Sequence, residues 1–145
     1  MEYSDYTLDL ETMGVNANCA IISIGAAAFN RKAEDFRVED VSKFYVNVDL
    51  EDSIKHGLTV DASTIKWWMQ QDKEAQLAFF VDPILKLRAA LENLSDWVDF
   101  IGGQDIPCWT HATFDAPILG NAYRTLHMRM PTHFRKQRDI RTLQD

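Results

Sequence analysis

Apolar and polar positions in the first half of the chain follow the two-residue period of β-strands. Tyr6 to Glu11 places Leu8 and Leu10 on one side and Asp9 and Glu11 on the other. After a turn around Gly14 to Asn18, the run Cys19–Phe29 is almost continuously apolar, the pattern of a strand buried on both faces. A charged loop, Asn30 to Asp40, leads to a third strand over Phe44–Leu50, with Phe44, Val46 and Val48 opposed to Tyr45 and Asn47. The period then changes. Ile65, Trp68 and Met69 fall at helical spacing behind a cap at Asp61 or Ser63, predicting a helix to about Gln71. A second helical stretch covers Glu74–Phe80. A longer one runs from Ile84 to Ile101, with Leu87, Leu91, Leu94, Val98 and Ile101 in one stripe and Gly102-Gly103 at its end. Pro107–Thr110 predicts a short strand, Phe114–Leu126 a helix with Pro117 in its first turn, and Gln137–Thr142 a last strand or helix entry.

Strands followed by alternating helix and strand define an α/β chain with a mixed sheet. The expectation is a five-stranded sheet, strands one to three antiparallel and the last two parallel to the first. A length of 145 residues fits a single domain able to bury its own core. The amino terminus lacks a basic segment followed by an apolar one, and no apolar run approaches the ~20 residues that span a bilayer. The expectation is therefore a cytoplasmic protein with no membrane partner. Cys19 and Cys108 lie in apolar runs and read as buried free thiols, although the sequence leaves a disulfide open.

Charge narrows the choice of partners. The formal net charge is −7, yet the last 25 residues carry six bases against two acids. Such a balance argues against indiscriminate coating of nucleic acid, while permitting a local site where cations and a basic strip meet phosphates. On charge alone, that basic strip is an ordinary solvated surface.

Asp9 and Glu11, two apart on one strand, share a face. Two acids so placed repel unless a cation lies between them, and hard ions such as Mg²⁺ or Mn²⁺ prefer carboxylate oxygen. An isolated Asp-x-Glu is ordinarily a solvated pair. Asp115 stands where a strand hands over to a helix, a frequent position for site residues in α/β sheets, but a lone acid there also serves as a helix-start charge.

Taken together, the segments DLETMG, AIISIGAAAF, TIKWWMQQ, HATFDAPIL and QRDIRTL change this reading. In that order and spacing the chain resembles the DnaQ-like (DEDD) 3′–5′ exonucleases, specifically the phage and prophage DexA-type and short bacterial exoribonuclease branch. The resemblance implies a ribonuclease H-like fold and a metal-dependent hydrolase acting on single-stranded DNA or RNA 3′ ends. It further implies Asp9, Glu11 and Asp115 as ligands of two divalent cations, Mg²⁺ or Mn²⁺, working by the two-metal scheme. Thr12 and Met13 would meet the terminal nucleotide. Trp67 would offer a stacking face, with Trp68 facing the core. Arg138 and Arg141 would contact phosphates or orient carboxylates.

The resemblance departs from its family at one point. A third motif, histidine followed five residues later by aspartate on a final helix, should come after the QRDIRTL block, and the sequence stops at Asp145. The expectation is a C-terminally truncated domain with weak turnover. Asp139 and Asp145 are not assigned to the vacant role, and His111 and His133 read as structural. Competing readings are a nucleic-acid- or protein-binding module that keeps the fold without turnover, and a purely structural domain.

Overall fold

The computed structural model describes residues 2–35 and 37–143. Strand β1 (Asp5–Thr12) is followed by β2 (Ile21–Phe29), β3 (Ser42–Val48), helices α1 (Leu50–Lys55), α2 (Ala62–Met69) and α3 (Lys73–Leu77), strand β4 (Ile84–Leu85), α4 (Leu87–Ile101), β5 (Cys108–Thr110), α5 (Asp115–Thr125) and β6 (Gln137–Asp139). They form one sheet in the order β4-β3-β2-β1-β5-β6. β1, β2 and β3 are antiparallel neighbours, whereas β5 runs parallel to β1 and β6 parallel to β5. The fold is α/β and ribonuclease H-like.

The sheet has six strands where the sequence pattern predicted five. Asn47 and Val48 pair in parallel with Ile84 and Leu85, so the helix expected to begin at Ile84 starts at Leu87. Both residues are apolar and fit a helix stripe and a short edge strand equally well. Leu50–Lys55, in part assigned to the third strand, is a helix because Asp49 caps it, its carboxylate accepting from the Glu51 N–H at 3.1 Å.

The alternation in β1 sorts the two faces. Tyr6, Leu8 and Leu10 point into the core, with Ile24 and Ala28 of β2 and Val46 and Val48 of β3. α4 covers this face with Leu87, Ala90, Leu91, Leu94 and Val98, and α5 covers it with Ile118, Leu119, Ala122 and Tyr123. Each such side chain contributes about 1.5–3 kcal/mol of burial. Cys19 and Cys108 are buried free thiols.

On the opposite face the registered rows are Thr7, Asp9 and Glu11, then Ala27, Gly25 and Ser23, then Lys43, Tyr45 and Asn47. These residues are small or polar and leave the sheet partly open. β2 is therefore buried over Ile21–Ile24 and again at Ala28, while Gly25–Ala27 are half-exposed, against the expectation of burial on both faces throughout. Asn47 anchors the chain beyond α3 at the edge of this face, donating to the carbonyls of Ala78 (2.8 Å) and Val81 (2.7 Å). Among the described residues, no helix is long and apolar enough to cross a membrane.

Candidate active site

The site stands where β1 ends. Pairing with β2 shifts register between Glu11 and Thr12, since Glu11 faces Ser23 but Thr12 faces Ile21. A bulge of this kind re-aims the side chains that follow it. Thr12 then turns the chain, its hydroxyl donating to the Gly14 carbonyl at 2.7 Å. Glycine is required at position 14, because a Cβ there would lie 2.6 Å from the Cβ of Cys19.

Asp9 and Glu11 project from the open face, and Asp115 meets them from the first residue of α5. The Asp115 carboxylate is buried and accepts from the His111 N–H at 3.3 Å. The N–H groups of His111 and Leu10 favour its charged form, but burial outweighs them and pushes its pKa up, with Asp9 adding to the rise. Glu11 is likewise raised, first by desolvation and then by the charges of Asp9 and Asp115. Asp9 is raised by desolvation and partly relieved by His111. Two segments distant in the chain, β1 and the start of α5, thus bring three mutually repelling carboxylates together.

A cavity of about 510 Å³ opens beside them, lined by Asp9, Asp115, His111, Trp109, Gly25 and Tyr45 among others. Its floor of Gly25 and Ala27 and its rim at His111 were not foreseen. His111 read as structural in the sequence, yet it is exposed and acts electrostatically on both Asp9 and Asp115. The signal was its place at the end of β5, four residues before Asp115.

The donor set suits a hard divalent cation: all oxygen, anionic, and with no lysine or arginine among the described residues paired to it to relieve the repulsion. Among the described residues, no three His, Cys, Asp or Glu side chains form a ready-made cage. An ion such as Mg²⁺, which keeps several waters and takes substrate phosphate oxygens, does not need one.

The remaining predicted residues divide. Thr12 and Trp67 line a hollow with Glu11, Trp68 and Phe114, and Trp67 is 52% exposed. Met13 lines a neighbouring apolar cavity of about 660 Å³ with Ile22, Trp68 and Phe79. Trp68 is half-buried instead of lying in the core. α2 buries no residue fully, and the Trp68 indole is occupied with the Thr12 carbonyl at 3.1 Å. Arg141 is held by Asp139, Nη2 to Oδ2 at 2.6 Å, and reaches the Thr113 hydroxyl at 3.3 Å, two residues before Asp115. That pairing pulls the Asp139 carboxyl down to about 2. Arg138 turns away, donating to the carbonyls of Arg135 and Gln137. Asp145 lies outside the described residues.

A mixed sheet with acids at the end of its central strand and at the following strand–helix junction defines the class of DnaQ-like nucleases. The chain belongs to the Rv2179c-like 3′–5′ exoribonuclease domain family, whose family model matches residues 4–145. It is 28% identical over 160 aligned positions to an exodeoxyribonuclease of Enterobacteria phage T4, covering 95% of this chain and 69% of that protein. The crystal structure of cell-death related nuclease 4 (CRN-4) superimposes with a TM-score of 0.55 at 14% identity. The match takes in 87% of this chain but only 41% of that nuclease, so the likeness is one of fold.

Proposed function

We propose that this chain hydrolyses phosphodiester bonds from single-stranded 3′ ends, using divalent cations held by Asp9, Glu11 and Asp115. The observation that carries the reading is the convergence of these three carboxylates, each with its pKa raised, beside an open cavity. Membership of a 3′–5′ exoribonuclease domain family supports the direction of attack. When bound, divalent cations would supply activation of water and charge stabilisation at the leaving 3′ oxygen.

The chain's own residues have separate tasks. Asp9 and Glu11, held in register against Gly25 and Ser23 of β2, set the position of the negative charge. Asp115 closes the site from α5. His111 stands at the rim to orient a water or take up its proton. Thr12 and Trp67 border the hollow that Glu11 also lines, and Met13 the neighbouring apolar cavity, where the terminal sugar and base would lie. Arg141, reaching Thr113 while paired with Asp139, would border the phosphate side, and Arg138, turned onto its own backbone, would have to swing out to join it.

The test is digestion of 5′-labelled single-stranded RNA and DNA with Mg²⁺, Mn²⁺ or EDTA. The expected result is a 3′-shortening ladder that needs metal and falls at least ~10³-fold in Asp9→Asn. A second reading, a nucleic-acid-binding module without turnover, is favoured by the lack of a ready-made three-ligand cage among the described residues. Tight binding with no metal-dependent ladder decides for it.

A further inference from the structure

The geometry points to a second element of the substrate site: a basic groove along α5 that binds the unpaired strand leading away from the terminal nucleotide. This inference rests on the nuclease reading for its orientation and not for its chemistry. The groove, of about 460 Å³, is lined by Ala116, Gly120, Arg124, Arg129, His133 and Phe134 among others. Its floor is α5 itself. Ala116 and Gly120 are four apart and so stacked on one helix face, and the Arg124 guanidinium lies low over Gly120, 3.4 Å from where a Cβ would stand.

Charge selects a polyanion. Residues 1–120 carry 20 acids and 9 bases, whereas residues 121–145 carry 2 acids and 6 bases. Among the described residues, Arg124, Arg129, Arg135 and Lys136 have no carboxylate within 4.0 Å, unlike Arg31 and Arg141. Arg129 is steered by a neutral partner, the Gln104 amide oxygen at 3.4 Å.

An aromatic step adds recognition of bases. Phe134 is 71% exposed and stacks on the exposed His133 with ring centres 4.7 Å apart, and the Arg135 guanidinium lies 5.6 Å from the Phe134 centre. Aromatic rings interleaved with unpaired arginines are how proteins hold single strands without reading sequence. Duplex is disfavoured, because a stacking platform needs bases freed from their partners. The groove also adjoins the acids. In the turn from β5 into α5, His111 and Asp115 line the acidic cavity, while Ala112 and Ala116 line the groove.

The experiment uses the full chain in EDTA, measuring anisotropy of fluorescein-labelled dT10 and U10 across a salt series. Phe134→Ala is expected to weaken decamer binding about five-fold or more. Arg124→Gln/Arg129→Gln is expected to lower the slope of log affinity against log salt by about 1.4, two phosphates' worth on a single strand, and the matching double lysine variant to restore it. Unchanged decamer affinity in Phe134→Ala, or an unchanged slope in the double glutamine variant, overturns the inference. Melting curves of these exposed-residue variants establish that they are folded. Hydrolysis of a dinucleotide in Mn²⁺ separates the two readings. If it fails while decamer binding still responds, the nuclease assignment falls and the groove stands. If it succeeds while the decamer ignores these substitutions, the groove falls alone.

Discussion

The Trp68 indole N–H donates to the backbone carbonyl of Thr12 at 3.1 Å, joining α2 to the end of the strand that carries Asp9 and Glu11. Trp68 also meets Phe79 edge-on, with centres 4.7 Å apart, so one side chain ties α2 and the turn that follows α3 to the site. Trp68→Phe keeps most of the packing and loses the donor. We expect a stability loss of about 1 kcal/mol in denaturant titration. KM for a short single-stranded substrate should rise several-fold while kcat changes little, because the acids themselves are not displaced.

Gly25 lies beside Asp9 in the β1–β2 register and forms part of the cavity floor. A Cβ there would sit 3.7 Å from a Tyr45 ring carbon, an ordinary contact, so Gly25→Ala should fold and cleave like the parent. Gly25→Phe projects a ring into the space beside Asp9. Hydrolysis is expected to fall at least ~10²-fold, with melting within a few degrees of the parent.

The raised pKa values of Asp9, Glu11 and Asp115 fix a sign. The folded state holds these protons more tightly than the unfolded chain, whose carboxyls titrate near ~4. As pH climbs from that point through the raised folded values, the three groups therefore subtract stability. A bound cation favours the charged forms and reverses this. Mg²⁺ or Mn²⁺ should raise Tm at pH 7.5 and have no effect at pH 4. Without metal at pH 7.5, Glu11→Gln should melt about 2–4 °C higher than the parent, since it removes repulsion and no hydrogen bond. A scanning fluorimetry grid of pH against metal checks both.

Gly14 offers a stability test next to the chemistry. Gly14→Ala forces a methyl against the Cys19 Cβ, and overpacking of this kind costs about 1–3 kcal/mol. Leu94→Ala, on the fully buried face of α4, should cost about 2–5 kcal/mol through the cavity it leaves. Urea unfolding measures both losses and a hydrolysis assay distinguishes them: the first should also disturb hydrolysis through the Thr12–Gly14 turn, the second should not until the protein unfolds.

Much of this was readable from residue order alone. The alternation Leu8-Asp9-Leu10-Glu11 set two faces at once, whereas Asp115, at a strand-to-helix handover that an ordinary helix-start acid also occupies, was marked out only by the resemblance to the exonucleases. What escaped were features decided by partners distant in sequence. Ile84 and Leu85 became a strand because β3 had a free edge to offer. Ile65 and Met69 carry a helix stripe, yet both stay exposed because α2 borders a cavity and no opposing layer covers it. The importance of Gly25 and Ala27 depends on what is missing from their side chains, which no motif records. The basic end read as one strip, whereas folding splits it: Arg141 is spent on Asp139, Arg138 folds back on its own turn, and Arg124 and Arg129 keep their charge available.

β1 is hydrogen-bonded to β2 along its length and to β5 at Tyr6 and Thr7, with the core beneath it, and beyond that point the Leu10 N–H is taken by the Asp115 carboxylate. Amide protons in such a strand exchange with solvent only when the whole protein opens, while peripheral segments breathe far more often. The acidic trio's two strand-borne members thus sit on a strand anchored in the sheet, and the third is tied to that strand through the Leu10 N–H. Substrate can be threaded, gripped and released by mobile surroundings without blurring the few tenths of an ångström on which a phosphoryl displacement depends.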